Sequence, residues 1–286
     1  MAVADLPRSS DARPRAPFPL ARRSLLLLLL VLFGWAAATS GIPVERILRA
    51  PAGIWNIARL MFPPDWAYAG RALGAMVESV HIAWFGTVIG AALSLPLALL
   101  AAKNVTGQAT STGARQVLNA FRAIPELVLA VVFVAMIGLG AVPGALAIGI
   151  HSIGTLGKLA SEAIESIDRG PLEAADAVGA TWLQKMRWGV LPQALPEIVA
   201  FWLYRFEINI RASAILGVIG AGGVGAVLSN TVSYRRWDKA GMTLIVVVVV
   251  TLLIDAVSGR IRRRIISGGD TSAEVAEGEM VLQAGA

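Results

Sequence analysis

Six apolar blocks constrain this chain before any motif does. They run from Leu25 to Thr39, Leu73 to Ala102, Val117 to Leu139, Ala145 to Ile167, Leu195 to Gly217, and Met242 to Val257. At roughly 1.5 Å of rise per residue, each reads as a helix long enough to cross a hydrocarbon core. A segment such as "LIVVVVVTLLI" would suit a buried strand if it stood alone. Six together point to an all-α membrane protein with six transmembrane helices, because lipid offers no water to an open backbone. Composition agrees: 56% hydrophobic and 15% charged residues depart from the usage of soluble domains.

The net charge of +6 matters less than its placement, and it is no argument for nucleic acid as a partner. Arg8, Arg13, Arg15, Arg22 and Arg23 precede the first block; Arg260, Arg262, Arg263 and Arg264 follow the last. The positive-inside rule places both ends in the cytoplasm, and an even number of spans agrees. Lys103 and Arg115 then also lie inside, while the "GLGAVPG" turn faces out. Arg46, Arg49, Arg59 and Arg71, in the first outer loop, run against the rule. "ARRSLLLLLLVLFGWAAATS" also has the features of a signal peptide. Cleavage would leave five spans with ends on opposite sides, so a retained anchor in a bacterial inner membrane is the expectation. The lack of cysteine excludes disulfides and thiolate metal sites.

Four regions follow. Residues 1–23, rich in proline and arginine, are expected to be a disordered cytoplasmic tail; 24–70 hold the first span and an outer interfacial helix. Residues 71–266 form the core, with a charged inward loop at 168–192, and 267–286 read as a second disordered tail.

The inward loop is locally legible. Gly170-Pro171 opens a helix, with Pro171 suited to its first position. Glu173 falls in the first turn, where a carboxylate complements the helix dipole. Gly179 stops the helix as a C′ glycine, and Thr181 with Gln184 forms a capping box that starts a second one. Pro192 and Pro196 bend the chain back into the membrane. On the first helix Ala174, Ala175, Val178 and Gly179 share a flat side suited to docking by another protein.

Here the sequence resembles a known family. "EAADAVG", followed nine residues on by "GVLP", is similar to the E-A-A-x3-G-x9-I-x-L-P loop of ABC importer permeases, with Gly189 standing where that pattern has isoleucine. Glu173, Ala174, Ala175, Gly179, Leu191 and Pro192 match it. "FRAIPELVLA" and "FEINIRASAILGVIGAGGVG" resemble permeases of phosphonate-type importers, over roughly residues 70 to 265. Methionine permeases share the style of the glycine-rich segment. The resemblance implies a type I importer permease acting as a homodimer, with the matched loop as the cytoplasmic coupling helix. It also implies two separate ATPase subunits, which hold ATP and Mg, and an extracytoplasmic substrate-binding protein. No cofactor is implied on this chain.

Gly220, Gly222 and Gly225 spell G-x-G-x-x-G, a dinucleotide fingerprint only within a βαβ unit. The apolar run before them is too long for one strand, and no P-loop motif is present. With Gly223, these glycines suit a close-packed turn or re-entrant segment at the outer end of the fifth span.

Ionisable groups inside spans are costly and face a bundle interior. Glu207 and Arg211, four apart, suit an intrahelical ion pair. Arg205, Asn209 and Ser213 recur every four residues; the stripe suits passage of an oxyanion or interhelical polar packing, and Arg205 is the expected free cation. Arg122 and Glu126, with Pro125 between them, suit a helix start or a gate contact. Glu78, His81, His151 and Lys158 stand isolated, Asp255 is within reach of the basic tail, and no metal site is expected. An intramembrane enzyme lacks a convergent nucleophile and base. An ion-driven transporter would have carboxylates at Glu207 and Asp255 but no use for the elbow loop.

Overall fold

The computed structural model describes residues 19–39 and 44–284, and their regular structure is helical. Two compact units divide the chain at Arg59 and Leu60. The first holds α1 (Pro19–Thr39) and α2 (Val44–Leu60), the latter with Pro51 inside it. Residues 60–70, grouped with the first helix in the sequence reading, belong instead to the second unit. Asp65 explains why: its N–H donates to Asp238 O at 3.3 Å, and its side chain caps the turn Trp66–Tyr68 that leads into α3.

The second unit is built on α3 (Ala69–Ala101), whose 33 residues extend for about 50 Å. It packs against α6 (Ala141–Glu165) through small residues. A Cβ on Gly86 would stand 2.6 Å from Ile148 Cγ2, and one on Gly90 2.5 Å from Ser152 Cβ. Removing side chains from one helix thus lets the backbones approach, as helices must when lipid supplies no hydrophobic drive to associate. α9 (Leu191–Val218) lies against α3 and α6, with Ile82, Ile148, Ala212 and Leu216 in one buried cluster. α11 (Trp237–Ala284) closes the other side through Met242 and Val246.

One block is bent, and a second bend follows the fifth block at the expected glycine-rich turn. Val117 to Leu139, expected as one span, is divided into α4 (Gln108–Ala123) and α5 (Glu126–Ile137), set at 74°. Pro125 removes a backbone donor and forces Ile124 out of the helical region, to ψ 116°. α9 and α10 (Gly223–Ser233) are bent by 41° across the glycine-rich turn. Among the described residues two helices, within Trp66–Ala101 and Trp237–Ile265, are long and apolar enough to cross a membrane. Counting each bent pair as one span raises this to four, against the six continuous spans expected. The block from Ala145 forms α6 as a single helix, but His151, Lys158, Glu162 and its many small residues lower its hydropathy.

Residues 1–18 of the expected N-terminal tail lie outside the described residues. After Ser267, where a disordered tail was expected, α11 continues to Ala284; Ala, Glu, Met and Gln in that stretch favour helix.

The α3–α6 contact is testable. Gly90→Ala should cost about 1–3 kcal/mol, read as an earlier unfolding transition of the purified protein in detergent. Gly74→Ala, with nothing within 4 Å of the added Cβ, should change stability by no more than about 1 kcal/mol. Equal transitions for the two variants would show that the helices do not touch there.

Candidate functional site

Two sites emerge, an elbow at one end of the unit and a polar seam within it. The elbow opens with α7 (Gly170–Ala177), with Pro171 in its first turn and Glu173 beside its N-terminus. Asp168 starts it, accepting from the Gly170 N–H at 3.1 Å. Gly179 ends it in the left-handed region at φ +70°. Its N–H donates to Asp176 O at 3.0 Å and that of Ala180 to Ala175 O at 2.9 Å, the paired bonds of a Schellman motif. The Thr181–Gln184 capping box is formed and starts the short α8 (Trp182–Gln184). A π-helical stretch, Lys185–Val190, then runs directly into α9. Pro192, expected with Pro196 to bend the chain back into the membrane, lies in the first turn of α9, and Pro196 lies inside that helix. A proline in a first turn replaces an N–H that has no helical partner anyway.

Long-range bonds fix the elbow. Gln193 accepts from the Asp168 N–H at 3.1 Å and donates to Gly189 O at 2.7 Å, clamping both arms. Lys185 pairs with Asp176. Gly189 is buried facing α7, with Leu172 Cγ 3.8 Å from where a Cβ would stand. Leu172 packs on Met186 and Val190, which join Ala98, Ala102, Ala163 and Ile164. The elbow is thereby joined to the C-terminal ends of α3 and α6. Its outward face carries Glu173, Ala174 and Gly179, with Val178 81% exposed, while Ala175 and Leu191 are half-buried. Leu183 and Trp188, each 72% exposed, extend this apolar surface, and Arg187 stacks over Trp188 at 5.3 Å. Asp168 was readable from its place two residues before Gly170, as an Asx turn. Gln193 carried no local signal.

The polar seam gathers residues from four helices. Arg205, Asn209 and Ser213 lie along one side of α9, and the last two are fully buried. Arg205 Nε donates to Ser152 Oγ at 3.1 Å; Asn209 Nδ2 donates to Thr87 Oγ1 at 2.8 Å and to Ser152 Oγ at 3.3 Å. Ser213 donates to Ile210 O within its own helix. Among the described residues, Asn209 Oδ1 and Arg205 Nη2 have no hydrogen-bond partner.

Several expected pairings are exchanged for others. Arg205 is not free: it lies 3.6 Å from Glu126. Glu126 in turn does not pair with Arg122, because the break at Ile124-Pro125 destroys their i,i+4 spacing. The stem of Arg122 instead lies against Gly154. Glu207 and Arg211 do not pair with each other. Arg211 lies 3.4 Å from Asp255 and Glu207 3.9 Å from Arg262, both on α11. An intrahelical pair contributes only about 0.2–0.5 kcal/mol, so partners on a packed helix displace it. Lys158 pairs with Glu162 at 3.6 Å, and His151 Nδ1 lies 3.1 Å from Ile124 O. Glu126, Ser152 and Thr87 were missed in the sequence as members of this group.

The glycine-rich segment is a tight helix–turn–helix. Gly220, at φ +97°, closes α9 in a second Schellman motif, with its N–H on Gly217 O and that of Ala221 on Leu216 O. A Cβ on Gly217 would stand 2.8 Å from Gly225 Cα, so α9 and α10 touch backbone to backbone. The turn is anchored to neighbours: the Gly140 N–H donates to Gly220 O at 2.9 Å, and that of Val224 to Ser79 Oγ at 2.9 Å.

Residues 94–267 match the family described as the binding-protein-dependent transport system inner membrane component. A phosphite transport system permease protein of Stutzerimonas stutzeri is 38% identical over 218 residues, covering 76% of this chain and 79% of that relative. A phosphate-import permease protein of Mycolicibacterium smegmatis is 44% identical over 208 residues, 72% of this chain but 39% of the longer relative. The solved inward-facing structure of a methionine ABC transporter superposes with a TM-score of 0.58 at 23% identity, over 67% of this chain and 94% of that one; it shows the fold alone. The chain belongs to this family of ABC importer permeases. It is a transport subunit, and membership implies an ATPase and a substrate-binding protein as partners.

Double-mutant cycles should separate the observed pairs from the expected ones. Glu126–Arg205 should show a coupling of about 0.5–3 kcal/mol in detergent unfolding, and Glu207–Arg211 close to none. The reverse ranking would restore the intrahelical pair.

Proposed function

We propose that this chain forms the membrane pathway of an ATP-driven importer for a phosphorus oxyanion such as phosphite, phosphonate or phosphate. The similarity to a phosphite permease over most of both chains carries the reading. Two copies assemble, each with both termini in the cytoplasm, and residues 71–266 form the core of the pathway. The chain performs no chemistry; ATP and Mg are held by two copies of the separate ATPase.

In this reading the loop 168–192 seats in the ATPase. Val178, Leu183 and Trp188 supply an exposed apolar contact, which a soluble partner covers favourably. Glu173, Ala174 and Gly179 shape the face it meets. Motion at the elbow reaches α3, α6 and α9 through Leu172, Met186 and Val190, because packed helices move as rigid bodies. The seam of Arg205, Asn209 and Ser213 adjoins the pathway. Its ion pair to Glu126 tethers α9 to α5, beyond the bend at Pro125, where closing and opening require a contact that breaks.

The substrate is read by uptake. Cells carrying the importer with its own binding protein should accumulate phosphite, methylphosphonate or phosphate only with ATP. Uptake of methionine alone, in keeping with a relative only 26% identical, would overturn the substrate assignment. Uptake without the ATPase would make the chain an ion-driven transporter.

For the elbow, Val178→Glu should leave the permease folded, since the side chain is 81% exposed, yet reduce co-purification of the ATPase. Gly179→Val adds roughly 1–2 kcal/mol of backbone strain at φ +70° and should weaken docking and stability together. Full complex yield from Val178→Glu would remove this face from the ATPase interface.

A further inference from the structure

At the end of α3 opposite the elbow, a concave site of 320 Å³ opens between the starts of α3 and α11 and the end of α10. Arg71, Arg236 and Lys239 line it, with Tyr68, Tyr234 and Asn230. The cations are weakly compensated. The Asp65 carboxylate approaches Lys239 at 3.9 Å, but among the described residues neither Arg71 nor Arg236 has a carboxylate within 4 Å. Arg71 and Lys239 both lie over the ring of Tyr68, at 6.0 and 5.2 Å from its centroid, so one aromatic ring helps position two of the cations.

Backbone geometry directs the third cation. α10 ends in a Schellman motif, with the Arg235 N–H on Val232 O and the Arg236 N–H on Thr231 O at 2.8 Å. The C′ position of that motif favours glycine, yet here it is Arg235, at φ +54°. This strained turn brings Arg236 back onto the cup lined by Asn230 and Tyr234. Asn230 also lines a second hollow bordered by Gly217, Gly220 and Gly222, so it stands between the cup and the glycine-rich turn.

We propose that Arg71, Arg236 and Lys239, with the donors of Tyr68, Tyr234 and Asn230, form a binding cup for a phosphorus oxyanion. Two guanidiniums and an ammonium match tetrahedral oxygens with charge-assisted donors, and the phenols and amide satisfy those that remain. Open and wet, the cup holds its ligand weakly and releases it readily. The shared chemistry has two sources, a free anion in transit or a lipid headgroup. Assignment to the transported anion rests on the proposed substrate class; the cup's affinity for oxyanions does not.

The test uses the full-length permease in nanodiscs. Inorganic phosphite is titrated in phosphatidylcholine discs and followed by phosphorus NMR line broadening. Saturable broadening is expected, weakened at least about five-fold by Arg236→Ala and by Arg71→Gln, largely kept by Arg236→Lys, and unchanged by Arg260→Ala, which removes a charge elsewhere. If phosphite does not bind but phosphatidylglycerol is retained through purification in a manner lost with Arg236→Ala and Arg71→Gln, the cup stands with a lipid headgroup as its occupant. If neither probe responds to these substitutions, the cup is refuted. Uptake separates the two readings: phosphite binding without import of any phosphorus oxyanion sinks the substrate assignment alone, and import with binding indifferent to the cup sinks the cup alone.

Discussion

The contact between Gly90 and Ser152 sets the geometry of the interior. With no side chain on Gly90, Ser152 is brought against α3, where its hydroxyl serves both Arg205 Nε and Asn209 Nδ2 from α9. Thr87, one turn before Gly90 on α3, supplies the second acceptor for Asn209. Three helices are therefore registered by one seam of polar groups, and that seam exists only at the interhelical distance that small residues permit. A wider α3–α6 spacing would deny the buried Asn209 amide one of its two acceptors, at about 1–3 kcal/mol.

Around this fixed centre, the two bends place backbone irregularity where movement has structural room. The break at Ile124-Pro125 separates α5 from α4, so Glu126 can hold Arg205 from a short helix that is not bound to its predecessor. The turn at Gly220 and Gly222 folds α10 back on α9 while its freed backbone groups are met by Gly140 and Ser79. Irregular backbone at membrane depth is tolerated when neighbouring protein satisfies it in this way.

The elbow was legible in the sequence because its signals are local. Gly170-Pro171, Gly179 and the Thr181–Gln184 box each depend on residues within one turn, and each forms as the spacing requires. The ion pairs were not legible for the converse reason. Glu207 and Arg211 have ideal helical spacing, but the choice of partner depends on which helix packs alongside, and α11 supplies Arg262 and Asp255. Arg122 and Glu126 lost their spacing to the proline between them, a break that the sequence marked without revealing Arg205 as the new partner. The stripe on α9 was visible as a periodicity; its acceptors on α3 and α6 lie more than fifty residues away.

The distribution of paired and unpaired cations suggests a division of labour along the molecule. Arg205, largely buried in the seam, and the more exposed Arg211 and Arg262 each face a carboxylate, as do Arg115 and Lys158 nearer the elbow. A paired cation presents little net field to an anion at a distance, although it can still donate a hydrogen bond at close range. At the opposite end, among the described residues, Arg71 and Arg236 have no carboxylate within 4 Å, which leaves the charge of the proposed cup open to an anion. A strong unpaired cation at the seam would instead trap an oxyanion in a low-dielectric interior, where escape would be slow. If the proposed cup captures the anion, compensated charge at the seam suits transit better than storage, because the pairing that stabilises Arg205 in the seam also weakens its hold on an oxyanion.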